Sequence, residues 1–318
     1  MIYLRDLYPP STARESGWID ASGGHRVFWE AHGNPLGVPL LHLCGGPGGF
    51  PNRQDPRFFN PFGYRIVLIH PRGAGRSTPA ASVEHNTIDD QISDIEQVRT
   101  LLGIERWIIS GASWGTTLAL VYAQTRRQRV RALLLRGVFL CTGNELEWLY
   151  GGGAGRLHPE AWEQFSGWTG ATGRQDLLQA YGEVLNCGVP EEEYEAAYLW
   201  CAWEDHLAGL RDQERETGPE TKAQELAMAR ISVHYFLNDG FLSPHQLLNN
   251  ADQLHDIPGA LIHGTRDEVT PIGVYALIKA WKKSVFHPIE GGTHLSSDHP
   301  GMIDCIIRNS SELMSLNS

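Results

Sequence analysis

One short stretch constrains this chain more than any other. Ile108-Ile109-Ser110-Gly111-Ala112-Ser113-Trp114-Gly115-Thr116-Thr117-Leu118-Ala119-Leu120 sets Gly-x-Ser-x-Gly between an apolar strand-like run and an apolar helix-like run. A serine in that context sits on a sharp strand-to-helix turn, with its hydroxyl pushed out at the end of a sheet. The flanking glycines let the two backbones close together, and the amides and dipole of the following helix favour negative charge beside the serine. The pentapeptide alone is common; the strand before it and the helix after it make it informative. The expectation is an α/β chain that uses Ser113 as a nucleophile.

A serine hydroxyl needs a base, and the base needs an orienting acid later in the chain, in the order Ser, Asp or Glu, His. Ala260-Leu261-Ile262-His263-Gly264-Thr265-Arg266-Asp267 reads as a strand running into a glycine turn, which places Asp267 at a sheet edge. Val285–Ile289 reads as a further strand, and Glu290-Gly291-Gly292-Thr293-His294 as a loop able to carry His294 over that edge. The segment from Pro271 to Lys283 supplies a helix between acid and base. Among 14 histidines, His287 lies inside the strand and His299 past the loop, so His294 is the expected base. Asp252 and Asp256 fall before the strand, which leaves Asp267 as the acid.

An oxyanion arising at Ser113 is expected to meet the amide of Trp114 and an amide from a loop after an early strand. Val38–Leu43 followed by Cys44-Gly45-Gly46-Pro47-Gly48-Gly49 is such a strand and loop, and Gly45 is the second donor. The loop lacks the Lys-Ser/Thr ending of a nucleotide phosphate cradle.

These segments resemble, nearly end to end, the prolyl aminopeptidase (proline iminopeptidase) family of the α/β-hydrolase superfamily. The resemblance rests on Leu7-Tyr8-Pro9-Pro10, Ser16-Gly17-Trp18, Arg72-Gly73-x-Gly75-Arg76-Ser77, Asp94-Ile95-Glu96-x-x-Arg99-x-x-Leu102-Gly103-Ile104, the Gly-x-Ser-Trp-Gly turn, Tyr122-Ala123-Gln124-Thr125, Leu135–Leu140 and His234-Tyr235-Phe236. It implies a cytosolic serine peptidase, without cofactor, that removes N-terminal proline from small peptides. It also implies that Glu204, in Trp200-Cys201-Ala202-Trp203-Glu204, binds the substrate ammonium, with Phe139 and Phe236 as walls for its ring.

This chain departs from the family at that same site. Cys44 stands where the family has the histidine of His-Gly-Gly-Pro-Gly, and His70-Pro71 where it has Asp-Gln. Ser232 occupies the position of a second ammonium-binding glutamate, and a hydroxyl cannot give the charge-assisted contact of a carboxylate. Two readings therefore stand: an aminopeptidase for N-terminal proline, or a diverged relative acting on another small amide, ester or carrier-bound thioester. A binding protein without activity is disfavoured by the complete Ser, Asp, His set.

Strands expected at Arg26–Ala31, Tyr64–Ile69, Trp107–Ser110 and Ala132–Arg136, with a helix over Ile88–Leu102, predict a mostly parallel sheet covered on both faces. Residues 1–141 and 248–318 are expected to form the catalytic core of an α/β-hydrolase fold. Residues 142–247, rich in tryptophan and helix-like, are expected to form an inserted helical cap, with Gly151–Gly155 as its flexible lead-in and Glu191–Glu193 as a helix start. The 318 residues suffice for one large core without staples, and five cysteines with no C-x-x-C pair predict neither a disulfide framework nor a zinc site. Cys141, Cys187, Cys201 and Cys305 are expected to be packed thiols, and Cys44 to face the nucleophile. No metal-ligand spacing is visible. A net charge of −11 disfavours nucleic acid and anionic membranes as partners. With no signal-like segment and no apolar run long enough to span a bilayer, the expected location is the cytoplasm, and the expected partner a small molecule or short peptide. Oligomeric state is not legible.

Overall fold

A computed structural model describes residues 6–210, 218–295 and 299–316. The elements, in chain order, are β1 (Glu15–Asp20), β2 (Arg26–Gly33), β3 (Val38–Leu43), β4 (Tyr64–Ile69), α1 (Ile88–Leu101), β5 (Trp107–Ala112), α2 (Trp114–Thr125), β6 (Val130–Arg136), α3 (Gly143–Tyr150), α4 (Pro159–Ser166), α5 (Arg174–Val184), α6 (Pro190–Ala208), α7 (Pro219–Leu237), α8 (Gln246–Asn249), β7 (Gly259–Gly264), α9 (Gly273–Ala280), β8 (Ser284–Ile289) and α10 (Pro300–Ser315). The eight strands form one sheet in the order β1-β2-β4-β3-β5-β6-β7-β8. β2 runs antiparallel to both β1 and β4; every other pairing is parallel.

Side-chain alternation explains why both faces are covered. Leu40, Ile66, Ile108, Leu134 and Ile262 point into one cluster with Met302, Ile306 and Leu313 of α10. Their neighbours Leu41, Val67, Ile109, Leu133 and Leu261 join α1, α2 and α9 in the other. Strands buried on both faces read as unbroken apolar runs, so β4, β5 and β6 are visible in the sequence. β1 is not, because five of its six residues lie outside the buried class and no alternation marks it. The helix expected over Pro271–Lys283 is shorter, Gly273–Ala280.

Helix α1 starts as its sequence specifies. Thr87 and Asp90 form a reciprocal capping box, which satisfies amide donors that the first turn leaves orphaned. Just before it, Arg72 is fully buried and meets Asp94 of α1 through two contacts of 2.6 and 2.8 Å.

Between β6 and β7 lie helices α3 to α8 and, among the described residues, no strand. Trp200 and Trp203 are fully buried there, Trp200 stacking on Tyr150 at 4.9 Å and Trp203 on Phe165 at 5.4 Å. Glu191–Glu193 occupy the first turn of α6. The lead-in Gly151–Gly155 is not the flexible tether expected from its composition. A Cβ on Gly153 would fall 2.7 Å from Trp148 Cα, and one on Gly155 2.5 Å from the Trp162 ring, so these glycines are packing sites. Cys187 is exposed rather than packed, while Cys141, Cys201 and Cys305 are buried.

Candidate active site

Ser113 is placed by strain. It links β5 directly to α2 with φ 53° and ψ −123°, a conformation costing a non-glycine residue on the order of 1–3 kcal/mol. Its amide donates to the Arg136 carbonyl at 3.0 Å and its own carbonyl accepts from Thr116 Oγ1 at 2.7 Å, so the turn is held from both sides. The turn closes only because Gly115 has no side chain; a Cβ there would lie 2.2 Å from the Leu43 carbonyl oxygen.

Asp267 follows β7 and is almost fully buried. Its carboxylate accepts from the amides of Val269 at 3.0 Å and Thr270 at 2.8 Å, and from the Thr270 hydroxyl at 3.1 Å. Its second oxygen faces His294 Nδ1 at 2.8 Å and His263 Nε2 at 3.7 Å. Burial alone would raise this carboxyl, but the charge of His294, its hydrogen bond, His263 and the Thr270 amide together bring it down to about 2. An ionised Asp267 accepts a hydrogen bond from the Nδ1–H of His294 and leaves the other ring nitrogen as the basic one. Gly137, after β6, makes room for this ring; a Cβ on it would lie 2.8 Å from His294 Cε1.

Ser113 and His294 share the wall of a cavity of about 480 Å³ with Gly45, Cys44, Phe139, Tyr150, Glu204 and Phe236. A Cβ on Gly45 would touch the Ser113 side chain at 3.3 Å, so the loop after β3 lies directly against the serine. Trp114 is the first residue of α2, where a backbone amide has no partner within the helix. Its side chain is buried edge-on against Tyr235 at 5.1 Å and Phe236 at 6.4 Å. Phe139 meets Phe236 edge-on at 6.1 Å.

Glu204 enters the cavity from α6 and accepts a 2.8 Å hydrogen bond from the Tyr150 hydroxyl. Burial pushes its carboxyl up to about 7, against that hydrogen bond, and neighbouring Asp205 pushes the same way. Tyr150 itself is fixed between Trp200 and Phe236, its ring 4.9 and 5.1 Å from theirs.

The structure does not bring Ser232 to this cavity. It is fully buried on α7, and its hydroxyl donates to the Pro47 carbonyl at 2.7 Å. The residue expected at the substrate instead ties α7 to the loop that carries Gly45. Sequence reasoning also missed His42, Asp55 and Arg136, which line the same cavity, and Tyr150, the partner of Glu204. His42 and Cys44 are two apart at a strand end and so share a face, a signal the sequence did contain; Asp55 carries none.

Residues 38–300 match the family described as alpha/beta hydrolase fold. The chain is 41% identical over 307 residues to the proline iminopeptidase of Xylella fastidiosa (strain Temecula1 / ATCC 700964), covering 96% of this chain and 98% of that protein. It is 39% identical over 305 residues to the proline iminopeptidase of Neisseria meningitidis serogroup A, covering 95% and 97%. Among solved structures, the proline iminopeptidase of Mycobacterium smegmatis superposes with a TM-score of 0.63 at 17% identity, over 96% of this chain and all of that one, a likeness of fold alone.

Proposed function

Since the chain belongs to the proline iminopeptidase family of α/β-hydrolases, we propose that it hydrolyses a small amide or peptide substrate through an acyl-enzyme on Ser113. His294, oriented by Asp267, removes the Ser113 proton as the oxygen attacks the carbonyl, then delivers it to the leaving amine. The amides of Trp114 and Gly45 receive the oxyanion. Water activated by His294 then releases the acid. Helices α3 to α7 act as a cap, from which Glu204 holds a substrate ammonium while Phe139 and Phe236 flank its ring.

The observation that carries this reading is the strained Ser113 turn opening into the same cavity as His294 and Glu204. A second reading has its own support. Glu204 stands without a second carboxylate at position 232, and burial holds its carboxyl up at about 7. Both features favour a substrate that lacks a free amine, such as an ester or a carrier-bound thioester. Turnover of proline p-nitroanilide against an N-blocked analogue and a simple nitrophenyl ester separates the two. Dominant cleavage of the free-amine substrate selects the aminopeptidase, and dominant cleavage of the others selects the diverged hydrolase. No helix among the described residues is long and apolar enough to cross a membrane. A small substrate met in the cytoplasm suits the net charge of −11.

A further inference from the structure

His42, Cys44 and Asp55 converge on one wall of the cavity, and their donor atoms all lie within 4.8 Å of one another. They approach one another only through long contacts. His42 Nε2 stands 3.8 Å from one Asp55 oxygen, and Cys44 Sγ stands 3.9 Å from the other. The first distance exceeds any hydrogen bond, and the second is at the limit even for sulfur. His42 is 1% exposed, and its Nε2 has no hydrogen-bond partner. A buried ring nitrogen left in that condition is costly unless something occupies the space before it.

We propose that His42, Cys44 and Asp55 form a binding site for a divalent cation of borderline softness, of which Zn²⁺ is the type. Imidazole nitrogen, thiolate sulfur and carboxylate oxygen are the three ligand types that zinc takes, at about 2.0–2.3 Å. Tetrahedral angles at those lengths put ligand atoms roughly 3.4–3.6 Å apart, against separations of up to 4.8 Å here, so the side chains close the site by drawing in, the widest pair by about 1 Å.

The surroundings suit it. His42 Nδ1 lies 3.2 Å from the Ser110 hydroxyl, which accepts from Nδ1–H in the tautomer whose Nε2 lone pair faces Asp55. The Asn52 amide donates to Asp55 at 2.8 Å and fixes the carboxylate. Arg136 lines the same wall, and its charge opposes a bare cation. Binding must therefore generate a second anionic ligand: the S–H bond of Cys44 breaks, its proton leaves to solvent, and the thiolate and Asp55 together balance the two positive charges. A fourth coordination position opens to the cavity that contains Ser113, where water or an oxygen of a bound molecule completes it.

Co²⁺ added to the unaltered, chelator-treated protein tests this directly. One equivalent should produce a thiolate-to-cobalt charge-transfer band that survives Cys187→Ser and is lost in Cys44→Ser. Zn²⁺ calorimetry should show proton release and at least tenfold weaker binding in His42→Gln and Asp55→Asn. Should Cys44→Ser fail to fold, alkylation of the unaltered protein mapped by mass spectrometry replaces it, and Zn²⁺ should protect Cys44 but not Cys187. No band in the unaltered protein, a band that persists without Cys44, or no Zn²⁺ protection of Cys44 overturns the proposal.

Discussion

The Ser232 hydroxyl donates to the carbonyl of Pro47, joining helix α7 to the loop that lays Gly45 against Ser113. Gly48 packs beneath the same helix, where a Cβ would lie 3.0 Å from Met228 Cα. A side chain from the helical segment therefore sets the height of the loop that lays Gly45 against Ser113. Ser232→Ala removes one buried hydrogen bond and leaves the Pro47 carbonyl unsatisfied. Stability should fall by about 1–2 kcal/mol, and kcat should fall more than KM rises. Urea denaturation and steady-state kinetics on one preparation check both.

Replacing Ser113 by Ala should lower kcat on every substrate by several orders of magnitude in a protein that still folds, because nucleophile, base and acid act as a unit. Asp267→Asn should cost roughly 10⁴ in kcat by presenting His294 in the wrong tautomer. Near-normal turnover by either variant, with circular dichroism unchanged, would remove these residues from the mechanism.

Glu204 predicts a distinctive pH dependence. Its carboxyl is held up at about 7, so it gains negative charge as pH rises through neutrality. The kcat/KM for a free-amine substrate, divided by that for an ester lacking the amine, should rise across this interval. It should fall again as the substrate ammonium loses its proton, nominally near 8 for an α-amino group. His294 and Asp267 serve both substrates, so their titration cancels in the ratio. In Glu204→Gln the ratio should be flat up to neutrality.

The turn itself can be probed without touching the chemistry. A Cβ at Gly115 would sit 2.2 Å from the Leu43 carbonyl, and neither backbone can yield without parting β3 from α2. Gly115→Ala should destabilise the protein by several kcal/mol, about 2–4, with activity lost in proportion to folded fraction. Differential scanning calorimetry gives the first quantity, and active-site titration the second.

Arg72 and Asp94 form a buried pair at which charge reversal or neutralisation should be severe. Asp94→Asn takes the nearer of two counter-ions from a fully buried guanidinium, leaving Asp90 at 3.5 Å, and such losses cost about 3 kcal/mol, the low end for a broken buried pair. Chemical denaturation checks the value.

What was legible in the sequence is what short-range pattern encodes. The strand, turn and helix around Ser113, the apolar runs of β4 to β7 and the first turn of α6 all follow from period, burial and capping. What was hidden depends on distant contacts. Nothing local shows that Gly153 and Gly155 meet tryptophan rings, that Ser232 turns toward Pro47, or that Asp55, eleven residues beyond Cys44, folds back beside it. Glu204 was placed by resemblance, yet its solitude and its tyrosine partner emerged only from packing.

That solitude bears on the fold as a whole. An unfolded chain releases the Glu204 proton near the ordinary 4.5, whereas the folded protein retains it to about 7. Between those values the native state binds more protons than the unfolded one, so this residue draws stability down as pH rises and has finished doing so above 7. A cation seated beside the ionised carboxylate reverses the loss, since a ligand held only by the native state raises its stability by mass action. An unpaired Glu204 carboxylate is thus a weak point of the protein in mildly alkaline solution, and a cation bound beside it would double as a conformational stabiliser.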